Sequence, residues 1–178
     1  EYFDSGYDKA EAKDYYGAIS DYTKAIEINP NYALAYLNRG FSKNELKDYY
    51  GAISDYTKAI ELNPNFALAY YNRGVGKGEL KDYNGAIVDY TKAIELDPNY
   101  ALAYLNRGFD KSELKDYYGA ISDFTKAIEL NPNFADAYTN RGIAKENLGD
   151  LNGACVDWKK AAEFGDTNAA EWVAKQCN

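Results

Sequence analysis

The chain contains no histidine and no methionine, and only two cysteines and four prolines. Without histidine or a cysteine pair at metal or redox spacing, a transition-metal centre has almost no ligands to draw on, and no cofactor or metal is expected. Cys155 and Cys177 both lie near the C-terminus and are expected to be reduced core or surface residues, with a single disulfide as the alternative. Clustered Asp and Glu could pick up only a hard cation adventitiously. No apolar run approaches the roughly 20 residues that cross a bilayer, and no basic-then-apolar leader is visible, so neither membrane insertion nor an address is expected. A cytoplasmic setting is the favoured expectation. The chain opens on Glu1, as a processed product, an engineered protein or a piece of a longer one would.

Charge of one sign is also scarce. Twenty basic residues face 28 acidic ones, a net charge of −8, so a phosphate backbone would be repelled and nucleic acid is a poor partner. With 46 % hydrophobic and 27 % charged residues the composition is that of a folded protein. No nucleophile, base or metal constellation appears, so the chain is not expected to be an enzyme.

What the sequence does contain is a repeat. Asn29-Pro30, Asn63-Pro64, Asp97-Pro98 and Asn131-Pro132 recur every 34 residues, and residues 33–66 and 101–134 differ at only three places. Within one repeat, small and apolar residues fall at helical spacing in two segments, Leu34, Tyr36, Leu37, Gly40, Phe41 and then Ala52, Ile53, Tyr56, Ala59, Ile60. Asp48 stands where an N-cap belongs, and Asn63-Pro64 ends the second helix because the residue before a proline is pushed out of helical dihedrals. The expected architecture is an all-α, right-handed solenoid, one array over 1–178. Its repeats span about 1–32, 33–66, 67–100, 101–134 and 135–166, with a solvating cap helix at about 167–177.

These residues resemble the tetratricopeptide repeat. Tyr36 stands in the tryptophan place of that pattern, Gly40 in the glycine, Ala52 in the alanine, Tyr56 in the aromatic and Pro64 in the closing proline, with further copies in phase around Gly6, Gly74, Gly108 and Gly142. Glycine inside a helix costs about 1 kcal/mol relative to alanine, which close packing must offset. Gly40 is therefore expected to make room for Ala52 of the partner helix.

Two features depart from the family pattern. Arg39, Arg73, Arg107 and Arg141 replace its leucine and are followed four residues later by Lys43, Lys77, Lys111 and Lys145. Half-buried cations need acids, and Asp21, Asp55, Asp89, Asp123 and Asp157, one per second helix, are the expected partners. If each arginine pairs backwards Asp157 is left over, and if it pairs within its own repeat Asp21 is. The chain also has 19 tyrosines, with doublets at Tyr15-Tyr16, Tyr49-Tyr50 and Tyr117-Tyr118 that are expected to form a half-buried rim.

The resemblance implies a scaffold that binds a peptide or protein segment on a concave surface lined by the first helices. Its lining would be Leu34, Leu37, Asn38 and Phe41, then Leu68, Tyr71, Asn72 and Val75, then Leu102, Leu105, Asn106 and Phe109, and last Thr139, Asn140 and Ile143. Asn44, Glu45, Glu79, Glu113 and Glu146 would edge it. The asparagine column could grip a peptide backbone, or could bond a neighbouring helix. Some relatives clamp a C-terminal carboxylate with cations, but here those places hold Leu37, Tyr71, Phe41 and Val75. An apolar, acid-rimmed face favours a peptide with apolar anchors and some basic residues. The alternative is a structural, consensus-like scaffold without a dedicated ligand, self-associating through the array ends.

Overall fold

The computed structural model describes residues 1–177, and among them every regular element is a helix. The first helices of the repeats are α1 (Tyr2–Glu11), α3 (Ala33–Glu45), α5 (Ala67–Glu79), α7 (Ala101–Glu113) and α9 (Ala135–Asn147). The second helices are α2 (Tyr15–Ile28), α4 (Tyr49–Leu62), α6 (Tyr83–Leu96), α8 (Tyr117–Leu130) and α10 (Leu151–Glu163), and α11 (Thr167–Gln176) follows. Helices α1 to α6 form one compact unit, Glu1–Leu96, and α7 to α11 a second one from Asp97 onward. No described helix is long and apolar enough to cross a membrane.

Local chemistry sets the helix boundaries. Asp14, Asp48, Asp116 and Asp150 each cap a second helix by accepting a hydrogen bond from a glycine amide three residues on, Gly17, Gly51, Gly119 and Gly153. This satisfies one of the orphan donors of the first turn. At the other end Asn29, Asn63 and Asn131 adopt extended dihedrals ahead of their prolines. The carbonyl oxygens of their side chains accept the amides of Asn31, Asn65 and Asn133, an Asx turn that leads into the next helix. Between first and second helix the chain turns through a left-handed residue. That residue is Lys13, Lys47, Lys81 or Lys115 at φ 61–64°, and Gly149 at φ 83° in the last repeat.

Each helix pair closes on an aromatic ring. A Cβ placed on Gly40 would lie 2.8 Å from Cε1 of Tyr56, and the same clash recurs for Gly74 with Tyr90, Gly108 with Phe124 and Gly142 with Trp158. The expected partner, Ala52, is fully buried but is not what lies over the glycine. The ring, the largest group on the second helix, takes the vacancy. Gly40→Ala is expected to cost about 1–3 kcal/mol by overpacking, read as a lower urea midpoint, and trimming the ring in Gly40→Ala/Tyr56→Leu should recover part of it.

The ion ladder pairs within repeats. Arg39 donates from Nε and Nη2 to the two carboxylate oxygens of Asp55 at 2.9 and 2.7 Å, and Lys43 sits 2.7 Å from Oδ2. Arg73 and Lys77 hold Asp89 in the same way, Arg107 and Lys111 hold Asp123, and Arg141 and Lys145 hold Asp157. The planar guanidinium also spares Nη1 for the preceding repeat: Arg39 donates to Thr23, Arg73 to Thr57 and Arg141 to Thr125. Asp21 is thus the acid left without an arginine. Lys9 and then Ser5 replace it, and their hydrogen bonds pull its carboxyl down to about 2.

Two expectations change here. The tyrosine doublets split: Tyr15 and Tyr49 are half-buried and donate to Glu45 and Glu79 at 3.3 and 3.1 Å, whereas Tyr16, Tyr50 and Tyr118 are 77 % exposed. Successive helical residues point about 100° apart, so the second ring of each doublet turns away from the packed seam. The cysteines, expected reduced, form a disulfide between Cys155 on α10 and Cys177 beyond α11, with Cα atoms 5.5 Å apart. The segment between them, at a sequence separation of 22, folds back as a helix pair, which brings two sequence-distant thiols within bonding reach.

Candidate functional site: the first-helix face

The first compact unit carries a stripe on α3, Leu34, Asn38 and Phe41, and a matching stripe on α5, Leu68, Asn72 and Val75. Leu34, Phe41 and Leu68 are 39–44 % exposed, large apolar side chains held in water by the fold. Residues seven apart stand two turns along a helix, about 10 Å, with the amide between them. The second unit repeats the stripe on α7, where Leu102 and Phe109 are both 46 % exposed and flank Asn106.

Not every expected lining residue is available. Leu37 and Leu105 are only 3 % and 8 % exposed. Leu37 packs with Ala52, Tyr56, Ala59, Ile60 and Ala69, and Leu105 with Ala120, Phe124, Ala127 and Ala137. They are core residues because, only about 60° around the helix from Leu34 and Leu102, they stand at the edge of that face on which the second helix of the same repeat packs. Tyr71, in the same column, is half-buried with its ring 5.9 Å from that of Tyr90. Thr139 donates to Asp166, the N-cap of α11, and Ile143 packs in the apolar cluster of Trp158, Trp172 and Val173.

The asparagines divide between the readings open to them. Asn38 stands beside the hydroxyl of Tyr22 on α2, whose titration burial pushes up to about 12, and Asn140 donates to the carbonyl of Asp136 on its own helix. Asn72 and Asn106 are half-buried on the stripe. The buried Oδ1 of Asn44 lies near Gly76 without a hydrogen-bond partner, so this residue faces the next first helix rather than solvent. Glu45 and Glu79 are exposed beside the stripe and are steadied by the tyrosine hydroxyls of the preceding repeats. One exposed ring escaped the sequence reading. Tyr7 on α1 is 51 % exposed and stands 34 residues before Phe41, a register signal masked by the divergence of the first repeat.

Matches to known proteins agree with this geometry. The family model described as tetratricopeptide repeat matches residues 33–66, 67–100 and 101–134, and further models of the same repeat match 6–46 and 124–155. Among curated proteins none matches the chain in sequence. Among solved structures, the crystal structure of MamA is 30 % identical, with 93 % of this chain and 96 % of that one covered at a TM-score of 0.86. MamA from Desulfovibrio magneticus RS-1 is 20 % identical over 93 % and 96 % at 0.87. YrrB, described as a TPR protein with an unusual peptide-binding site, is 23 % identical over 98 % and 90 % at 0.83. Repeat length, paired helices, the glycine beneath an aromatic ring and these matches have one reading: the chain belongs to the tetratricopeptide repeat family.

Proposed function

We propose that the chain is a non-enzymatic interaction scaffold that binds a peptide or protein segment along its first-helix faces. The observation that carries this reading is the recurrence of the exposed leucine and phenylalanine around an asparagine, Leu34 with Phe41 in the first unit and Leu102 with Phe109 in the second. Burying such side chains against a partner gains about 1.5–3 kcal/mol each, and an amide between apolar contacts can fix a backbone by donating and accepting. The binding residues are then Leu34, Asn38, Phe41, Leu68, Asn72 and Val75 in the first unit, and Leu102, Asn106 and Phe109 in the second. Exposed Glu45 and Glu79 and the net charge of −8 favour a partner with lysine or arginine beside its apolar anchors. YrrB, a TPR protein with an unusual peptide-binding site, supports the reading at the level of the fold.

Panning a phage-displayed random peptide library over the full chain tests the proposal. Peptides pairing aromatic or leucine anchors with basic residues should be enriched, and Leu34→Ser/Leu68→Ser should bind them at least tenfold more weakly. Added salt should weaken them further. The same peptide pool retained equally by wild type and variant would remove this face from consideration.

A further inference from the structure

Helix α11 packs on α10 and is tied to α9 at Thr139, a residue of the expected lining. Its N-cap, Asp166, accepts from the amide of Ala169 and from the hydroxyl of Thr139, so the start of the helix is tied to one first-helix residue. Ile143 is packed in the same cluster as Trp172 and Val173, with the Trp172 ring 5.2 Å from that of Trp158. The far end of α11 is held by the Cys155–Cys177 disulfide. A helix of 10 residues does not persist alone in water, so these two tethers and the apolar contact between them decide whether it stays down.

The disulfide is also reachable. A surface notch of 390 Å³, lined by Leu151, Cys155, Val156, Lys159 and Cys177 among others, opens beside it. Cys155 is buried while Cys177 is only half-buried, so Cys177 Sγ is the sulfur an incoming thiolate meets first, with the Lys159 ammonium nearby to attract the anion.

We infer that the Cys155–Cys177 disulfide is a redox latch that holds α11 against α10 and Thr139, and that a dithiol reductant frees α11 by cutting it, uncovering Thr139 of the expected lining and the apolar cluster on which Ile143 packs. The inference rests on the proposed function for the meaning of the uncovered face. In the reaction a reductant thiolate forms a bond to Cys177 Sγ, the Cys155–Cys177 bond breaks, and Cys155 departs as a thiolate that takes a proton. The second reductant thiol then attacks the mixed disulfide, releasing Cys177 as a thiol and leaving the reductant as a cyclic disulfide. Two electrons and two protons pass to the protein. In an oxidising compartment the latch is closed, and in a reducing one it is open.

The test compares the full chain in oxidised form, after dithiothreitol, and as Cys155→Ser/Cys177→Ser, by hydrogen exchange and hydroxyl-radical footprinting. Releasing a closed loop of this length should speed exchange in α11 on the order of a hundredfold. Trp172 and Ile143 should become oxidisable while α7 and α8 keep their protection. Unchanged α11 protection in both the reduced wild type and the double variant would overturn the latch, as would an intact mass showing free thiols in the oxidised protein. Peptides enriched in the panning experiment supply the second readout. Equal binding in oxidised and reduced states overturns the gating of the face, whereas no binding in either state removes the proposed function and leaves the latch to stand or fall on exchange and footprinting.

Discussion

Replacing Asp89 by alanine is expected to destabilise the protein by about 3 kcal/mol or more, the largest loss predicted for any single side chain here. Asp89 is 1 % exposed and compensates both Arg73 and Lys77, whose nitrogens approach its two oxygens at 2.7 Å. Deleting the carboxylate strands two cations in a half-buried seam with no remaining counter-ion. Their side chains keep 17 % and 22 % exposure, so residual hydration holds the expected cost near the lower end of the 3–5 kcal/mol typical of a broken buried pair. Arg73 also donates to Thr57, so the loss should reach α4 as well as the α5–α6 pair. Urea unfolding gives the total, and hydrogen exchange should show α5 and α6 opening first, since a repeat array is held by neighbour contacts. The fully apolar variant Arg73→Met/Lys77→Leu/Asp89→Leu should regain most of the stability, because desolvating the ions cancels much of what their attraction supplies. A loss below 1 kcal/mol in Asp89→Ala would mean the ladder is ornamental.

Asp110→Ser is expected to act in the opposite direction and to depend on pH. Asp110 on α7 is 3 % exposed, and its Oδ2 has no hydrogen-bond partner. Burial, and secondarily the charge of Glu113, push its carboxyl up to about 7. The folded protein therefore holds this proton between about pH 4 and 7 while the unfolded chain releases it. Stability falls as pH rises through that window and levels off above it. At about 1.4 kcal/mol per pH unit the full span from the ordinary 3.8 to about 7 is worth roughly 4 kcal/mol. The other repeats place Asp8, Ser42, Gly76 and Ala144 in this column; Asp8 is exposed, whereas Ser42 is fully buried with its hydroxyl donating to the carbonyl of Asn38. Serine is thus already accommodated by the helix. Asp110→Ser should be more stable than wild type at pH 8 by up to about 4 kcal/mol and should match it near pH 4. Urea midpoints measured from pH 4 to 8 decide the matter: parallel curves for the two proteins would show that Asp110 is solvated or paired after all.

How far the letters alone carry is clearest at particular residues. Asp48 and Asn63-Pro64 announce the ends of α4, because caps and pre-proline dihedrals are local effects that need no neighbours. Arg39, Lys43 and Asp55 were legible as a set from charge and burial alone, since cations on a packed helix face must find an acid. The pairing rule was not, because it depends on which carboxylate lies within reach once the helices stack. In the same way Leu34 and Leu37 are identical letters three apart on one helix. Only the position of α4 makes the second a core residue and leaves the first exposed for a partner.

Repetition every 34 residues, with two helical segments and their punctuation in each copy, sets the helix-pair architecture, because secondary structure and nearest-neighbour stacking are encoded within a single period. Tertiary structure decided what the period leaves open: that Tyr56 rather than Ala52 covers Gly40, that Cys155 meets Cys177, that Oδ2 of Asp110 is buried without a hydrogen-bond partner, and that α11 is tied to Thr139. Each is a relation between residues on different helices, or between a side chain and its solvent, and such relations exist only once the chain has packed.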